Sequence, residues 1–223
     1  MSELSIFVDE SGGMNGTSRY CLVTLVFHNQ KDDISPIITF YEEILKTISL
    51  PNRPFHTSPL LYGKKEYAHD TLELRKRQLG SFFSFTQRLP IRYATFAYKR
   101  SEVPTPELFI SRFRKDLVVF IAEHLAYFQS FDCVKIYYDN GQQMVTHALN
   151  AAFEYMLTPS TLMHRNATPS SYRLSQVADF LCTIELTALK AVSNDMTSSD
   201  IKFFGGNQAF KKNYLKKIRR KRM

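Results

Sequence analysis

With 223 residues, 44% of them hydrophobic, the chain can build one sizeable core and is short for two full domains. It holds no run of about 18 apolar residues and no basic-then-apolar opening, so neither a membrane helix nor a secretory signal is expected, and the cytoplasm is the expected location. The formal net charge of +8 is concentrated in residues 211–222, which hold eight basic side chains and no acid; the rest of the chain balances at 21 basic and 21 acidic residues.

Cys21, Cys133 and Cys182 each sit inside an apolar segment, and no two share metal-ligand spacing. Buried thiols in a reducing compartment are expected, rather than a disulfide or a structural zinc site.

The first element is a buried strand over Leu4–Val8 that ends at Asp9. Glu10–Gly16 holds three of the eight glycines and reads as a turn. Tyr20–Phe27, rich in β-branched and aromatic residues, is the second strand, antiparallel to the first. Asp32 or Asp33 can cap a helix with Pro36 in its first turn, whose apolar positions Ile37, Phe40, Tyr41, Ile44, Leu45 and Ile48 keep helical spacing. Pro51–Tyr67 reads as an irregular connection, either a functional loop or an arm.

A basic helix is predicted over Thr71–Leu89 and a third strand over Ile91–Tyr98. Pro104 and Pro106 open one long helix to about Ser130. Val134–Tyr138 is the fourth strand, ending at Asp139-Asn140-Gly141, and His147–Met156 lies in the helix that follows. A fifth strand is placed near Thr161–Arg165, before a turn around Thr168–Ser171. Last comes a nearly all-apolar helix over Leu174–Leu189. On it Gln176, Asp179, Thr183, Thr187 and Lys190 share a sector of about 80°, a narrow polar strip on a helix otherwise built for burial. The predicted fold class is therefore α/β. It has a mixed central sheet of about five strands flanked by helices, and an inserted loop and helical region (51–90) after the first hairpin.

Two strands share one pattern: apolar run, Asp, polar turn. If the strands are parallel neighbours, Asp9 and Asp139 emerge at one carboxyl edge, where ligand sites of open α/β sheets lie. A helix packed over that edge can add Asp179. Three clustered carboxylates repel unless a cation or a proton offsets them. Oxygen-only ligands suit Mg or Mn, and such a metal site is suited to phosphodiester cleavage. The plainer alternative for Asp9 and Asp139 is a turn residue bonding its own backbone; for Asp179 it is a solvated helix face.

Glu10, His56 and Glu185 form a second tier. Glu10 can ligate from the turn, His56 can be a metal ligand or proton shuttle or serve its loop structurally, and Glu185 can be a buried partner for a base. Ser11 lacks the strand-to-helix elbow of a hydrolase nucleophile, and His147 is read as a surface or packing residue. In the tail, Lys211, Lys212, Lys216, Lys217, Arg219 and Arg220 are candidates for binding a nucleic-acid backbone, against the alternative of a solvated end.

At these motifs the chain resembles the domain-of-unknown-function 3800 family, placed among ribonuclease H-like proteins. The resemblance rests on FVDESG (Phe7–Gly12), FHTSPLL (Phe55–Leu61), YYDNG (Tyr137–Gly141), QVADFLC (Gln176–Cys182) and the closing FFGG…KKNYLKKI (Phe203–Ile218). It implies a ribonuclease H-like fold, with an acidic site shared by the first strand, a later strand and the last long helix. Carried over motif by motif, those acids are Asp9, Asp139 and Asp179. Such nucleases usually add a fourth acid from a helix after the hairpin; Glu42, Glu43 and Glu66 are all candidates, none in a diagnostic motif.

The expectation is a single domain over 1–210 with a basic tail at 211–223. Its function would be that of a Mg- or Mn-dependent nuclease or other phosphodiester-cleaving enzyme. The rival is a catalytically silent module that holds nucleic acid or a protein partner.

Overall fold

The structure is a computed structural model that describes residues 2–12, 18–139, 143–157, 162–166 and 172–223, with residues 163–166 described by their backbone. Strands β1 (Glu3–Ser11), β2 (Tyr20–Asn29), β3 (Ile91–Lys99), β4 (Cys133–Tyr138) and β5 (Leu162–Asn166) lie in the order β3-β2-β1-β4-β5. The hairpin side is antiparallel (β1 with β2, β2 with β3), whereas β1, β4 and β5 run parallel. This is an α/β protein with a mixed open sheet. The change of direction follows from the connections: β1–β2 is joined by a short turn, and β4 arrives only after helices that carry the chain back across the sheet.

Both faces of β1 and β2 are covered, which explains why they read as apolar runs rather than clean alternation. One face takes Leu4, Ile6, Val8, Val23, Leu25 and Phe27 against α4 (Pro106–Glu123), α5 (Leu125–Gln129) and α6 (Gln143–Met156). The other takes Phe7 and Val26 against α1 (Ser35–Thr47), α2 (Thr57–Tyr62), α3 (Leu72–Arg88), α7 (Arg173–Val192), α8 (Ser198–Phe204) and the C-terminal helical segment. α7 crosses directly over β1 and β2. Twelve of its twenty residues are buried, as expected for a helix with so narrow a polar strip.

Four expectations change. β1 does not stop at Asp9 but runs to Ser11, because its ladder with β2 continues through Asp9↔Thr24, Glu10↔Val23 and Ser11↔Leu22. The irregular connection at Pro51–Tyr67 contains a short helix, α2. Pro59 falls in its first turn, where a missing N–H costs nothing, and Gly63 ends it in the left-handed conformation (φ 61°). The predicted single helix to Ser130 is two, breaking at His124, whose backbone leaves the helical region and whose Nδ1 lies 2.9 Å from the Phe120 carbonyl oxygen.

The fourth change is the basic tail, which is folded. Asn207–Phe210 (α9) continues through a wide turn, Lys211–Leu215, into α10 (Lys216–Ile218) and a last tight turn, Arg219–Lys221. Phe210, Leu215 and Ile218 are buried in the core, and the Met223 N–H donates to the Tyr93 carbonyl oxygen on edge strand β3. The segment is amphipathic: apolar at 210, 214, 215 and 218, basic at 211, 212, 216 and 217. The turns expected around Gly13–Gly16, Asn140-Gly141 and Thr168–Ser171, and Thr161 at the start of the predicted fifth strand, lie outside the described residues.

Candidate functional site

The β1–β4 register sets the geometry of the site. Phe7 pairs with Tyr137, and their rings stack at 4.5 Å on the α7 side of the sheet. Two residues further on come Asp9, still within β1, and Asp139, the first residue past the end of β4. Because side chains repeat every second residue, Asp9 follows Phe7 onto the α7 side, and Asp139 is near enough at the carboxyl edge for its charge to act on Asp9. Glu10 has the opposite parity and starts on the other face. On β2, Thr24 is buried opposite Asp9, and its Oγ1 lies 2.9 Å from that of Thr95.

Asp179 reaches the same edge from above, on the second turn of α7. Its Oδ2 accepts two hydrogen bonds from Thr57, one from the backbone N–H (2.6 Å) and one from the hydroxyl (2.8 Å). Thr57 opens α2, so the carboxylate sits where free backbone N–H groups favour a negative charge. His56, the residue before it, is near enough for its positive form to favour ionised Asp179.

The segment carrying His56 and Thr57 is held from both sides. Phe55 stacks on Phe82 of α3 at 3.9 Å. Arg53 pairs with Asp70 and lies over the Tyr67 ring. Arg173, at the start of α7, donates to Asn52 (2.5 Å) and to Glu42 on α1 (2.8 Å).

Mutual repulsion couples the acids electrostatically. The Asp9 carboxyl is pushed well above the usual aspartate range, first by burial and then by the charges of Asp179, Glu10 and Asp139. Burial also raises Asp179, against the two Thr57 hydrogen bonds and the His56 charge. Cys182, one turn along α7 from Asp179, is a buried thiol pushed far up by desolvation and by Asp9. Asp139 itself is exposed at the rim. Among the described residues no three His, Cys, Asp or Glu side chains already stand as a metal-holding group.

No protein-family model, curated protein or solved structure matches this chain. Its chemistry therefore rests on its own residues.

The remaining sequence candidates divide. The fold brings Asp9, Asp139, Asp179, Glu10 and His56 to one edge. Glu185 lies elsewhere on α7, where Tyr93 donates to it (2.7 Å) and Arg219 grips both of its oxygens (3.1 and 2.6 Å). Its base is thus Arg219, whose side chain is held by this ion pair yet stays 42% exposed. Lys211, Lys212, Lys216, Lys217 and Arg220 remain on the solvent side.

Of the fourth-acid candidates, Glu42 is engaged by Arg173, while Glu43 and Glu66 are exposed. Sequence reasoning missed Thr57 as a partner of Asp179 and Arg173 as the clamp on residues 52–53. A usable signal for Thr57 was present: a short-chain hydroxyl followed two residues later by Pro59 is a helix start.

Proposed function

We propose that the chain is a divalent-metal-dependent phosphodiester-cleaving enzyme of ribonuclease H-like architecture, acting on nucleic acid. The observation that carries this reading is Asp9 on β1 and Asp139 just past the end of the neighbouring parallel strand β4, close enough for their charges to interact, with Asp179 presented by α7. The donor chemistry fits Mg or Mn: the groups are carboxylate oxygens, and Asp9 sits among negative charges that a hard cation would offset. Asp9 and Asp139 would hold the ion and Asp179 would complete the set with its second oxygen. A bound ion there supplies activation of water and charge stabilisation at the leaving oxygen. The protein's own part is to hold the acids in register, to orient Asp179 through Thr57, and to place the His56 imidazole beside it.

The test is calorimetric titration of Mg or Mn into the wild type and Asp139→Asn, followed by cleavage assays on DNA and RNA. Saturable binding and cleavage, both lost in Asp139→Asn with the fold retained, are expected. Cleavage that survives in Asp139→Asn would sink the proposal.

A second reading has its own support. Asp179 already spends one oxygen on Thr57, and the described acids are not gathered into a metal-holding group. A silent module would bind nucleic acid through the basic face of the C-terminal helical segment. Its affinity would fall steeply with salt, would not need magnesium, and would drop when Lys212, Lys216, Lys217 and Arg220 are changed together to Gln.

A further inference from the structure

Helices α1 and α3 pack side by side away from the acidic edge, and a groove of about 400 Å3 opens between them. On α1 it is lined by Ile37, Phe40, Tyr41, Ile44 and Ile48, the helix's apolar stripe. On α3 the lining residues fall at positions 77, 80, 81, 84, 85 and 88, one face of the helix, with Gly80, Ser81 and Ser84 in the middle and an arginine at each end. Small side chains in the middle create the opening: a Cβ added at Gly80 would meet no other atom within 4 Å. Phe40 is left 40% exposed on the rim.

The charge pattern is one-sided. The lining includes two guanidinium groups and no acid. Arg77 already donates to the Ile48 carbonyl oxygen at 2.7 Å. Arg88 lies over the Phe40 ring, its guanidinium carbon 4.4 Å from the ring centre, and among the described residues no hydrogen bond engages its N–H groups. An apolar trough closed at one end by an available guanidinium fork is complementary to an apolar chain that ends in a carboxylate.

Length narrows the occupant. Arg77 and Arg88 are eleven residues apart, so the trough is about 16 Å long. A single acyl chain fits that length and a cavity of about 400 Å3, and its carboxylate meets the positive end of the trough.

We propose that this groove binds a medium-chain fatty carboxylate, its chain on Ile37, Phe40, Ile44 and Phe85 and its head group on Arg88. This site is separate from the acidic edge and independent of any activity there.

The experiment is calorimetric titration of the full chain with dodecanoate, kept below its micelle-forming concentration, alongside dodecanol. Saturable one-to-one binding of dodecanoate is expected. Gly80→Phe, which fills the trough from its floor, should weaken it by more than about tenfold. Arg88→Gln should weaken dodecanoate about tenfold and leave dodecanol unchanged. If Gly80→Phe does not fold by circular dichroism, Ser84→Phe blocks the same stretch. Absence of saturable heat with folded wild type overturns the proposal. So does undiminished binding in the filled variant, which would place the ligand elsewhere, or equal affinity for the alcohol, which would remove the role of Arg88.

Discussion

Burial and three neighbouring carboxylates all oppose ionisation of Asp9. A carboxyl whose folded-state pKa is raised binds its proton more tightly when folded. Its contribution is therefore greatest at low pH and is lost as pH rises from the ordinary value of 3.8 through the folded one. Near neutral pH without divalent cation, Asp9→Asn should stabilise the protein by about 1 kcal/mol, seen as a higher melting temperature. Saturating magnesium should raise the wild-type melting temperature and narrow that gap; a gap indifferent to magnesium would argue against a cation at this edge. Thr57 is the other decisive residue, fully buried with its hydroxyl on Asp179. Thr57→Val keeps the shape and the backbone donor but removes one hydrogen bond to a charged group. A loss of roughly 1–2 kcal/mol in denaturant melts is expected, together with weaker metal binding if Asp179 takes part in it.

At the scale of elements, α7 ties both ends of the fold together through two acids in different settings. Asp179 is a carboxyl whose ionisation burial opposes, whereas Glu185 is a satisfied anion beneath the C-terminal segment. Burial alone would raise Glu185, but the Arg219 and Tyr93 hydrogen bonds outweigh it and hold its carboxyl below the usual range. A depressed acid contributes stability above its unfolded pKa and loses it as pH falls through the folded one. Arg219→Ala leaves a buried carboxylate with Tyr93 as its remaining donor. It should cost roughly 2 kcal/mol at neutral pH, and the gap from wild type should close in acid as Glu185 takes up its proton. A penalty that does not change with pH would mean Arg219 acts by packing alone.

For the whole molecule, the basic segment is part of the core that merely displays charge on its outer side. Ending the chain after residue 210 removes buried Leu215 and Ile218, the Arg219 ion pair and the Met223 bond to β3. At about 2 kcal/mol or more for each buried aliphatic side chain, the truncation should cost at least about 4 kcal/mol, much of a typical domain's margin. A truncated chain that melts like the full one would show the segment to be dispensable. Nucleic-acid binding by this surface is accordingly tested with charge-neutralising substitutions and not by deletion. The same packing gives β3 a partner along an otherwise open edge.

Much of this was legible in the sequence because it is local. Apolar runs and helical spacing predict β1–β4, α1, α3 and α7 close to where they lie, and one polar strip on α7 singles out Asp179. Two apolar runs that each lead into an Asp, once they are parallel neighbours, bring Asp9 and Asp139 to one edge. Other features depend on partners distant in the chain, which a local pattern does not register. β1 extends past Asp9 because β2 supplies hydrogen bonds there, and α2 forms in a proline-rich stretch because Thr57 anchors it to an acid 122 residues away. The basic tail looked soluble by charge, yet it folds because Glu185 and the underside of α3 and α7 offer a buried counter-charge and an apolar seat. Periodicity and composition determine which faces of the elements are apolar; only the tertiary structure decides which charges meet, since that depends on contacts between residues far apart in the chain.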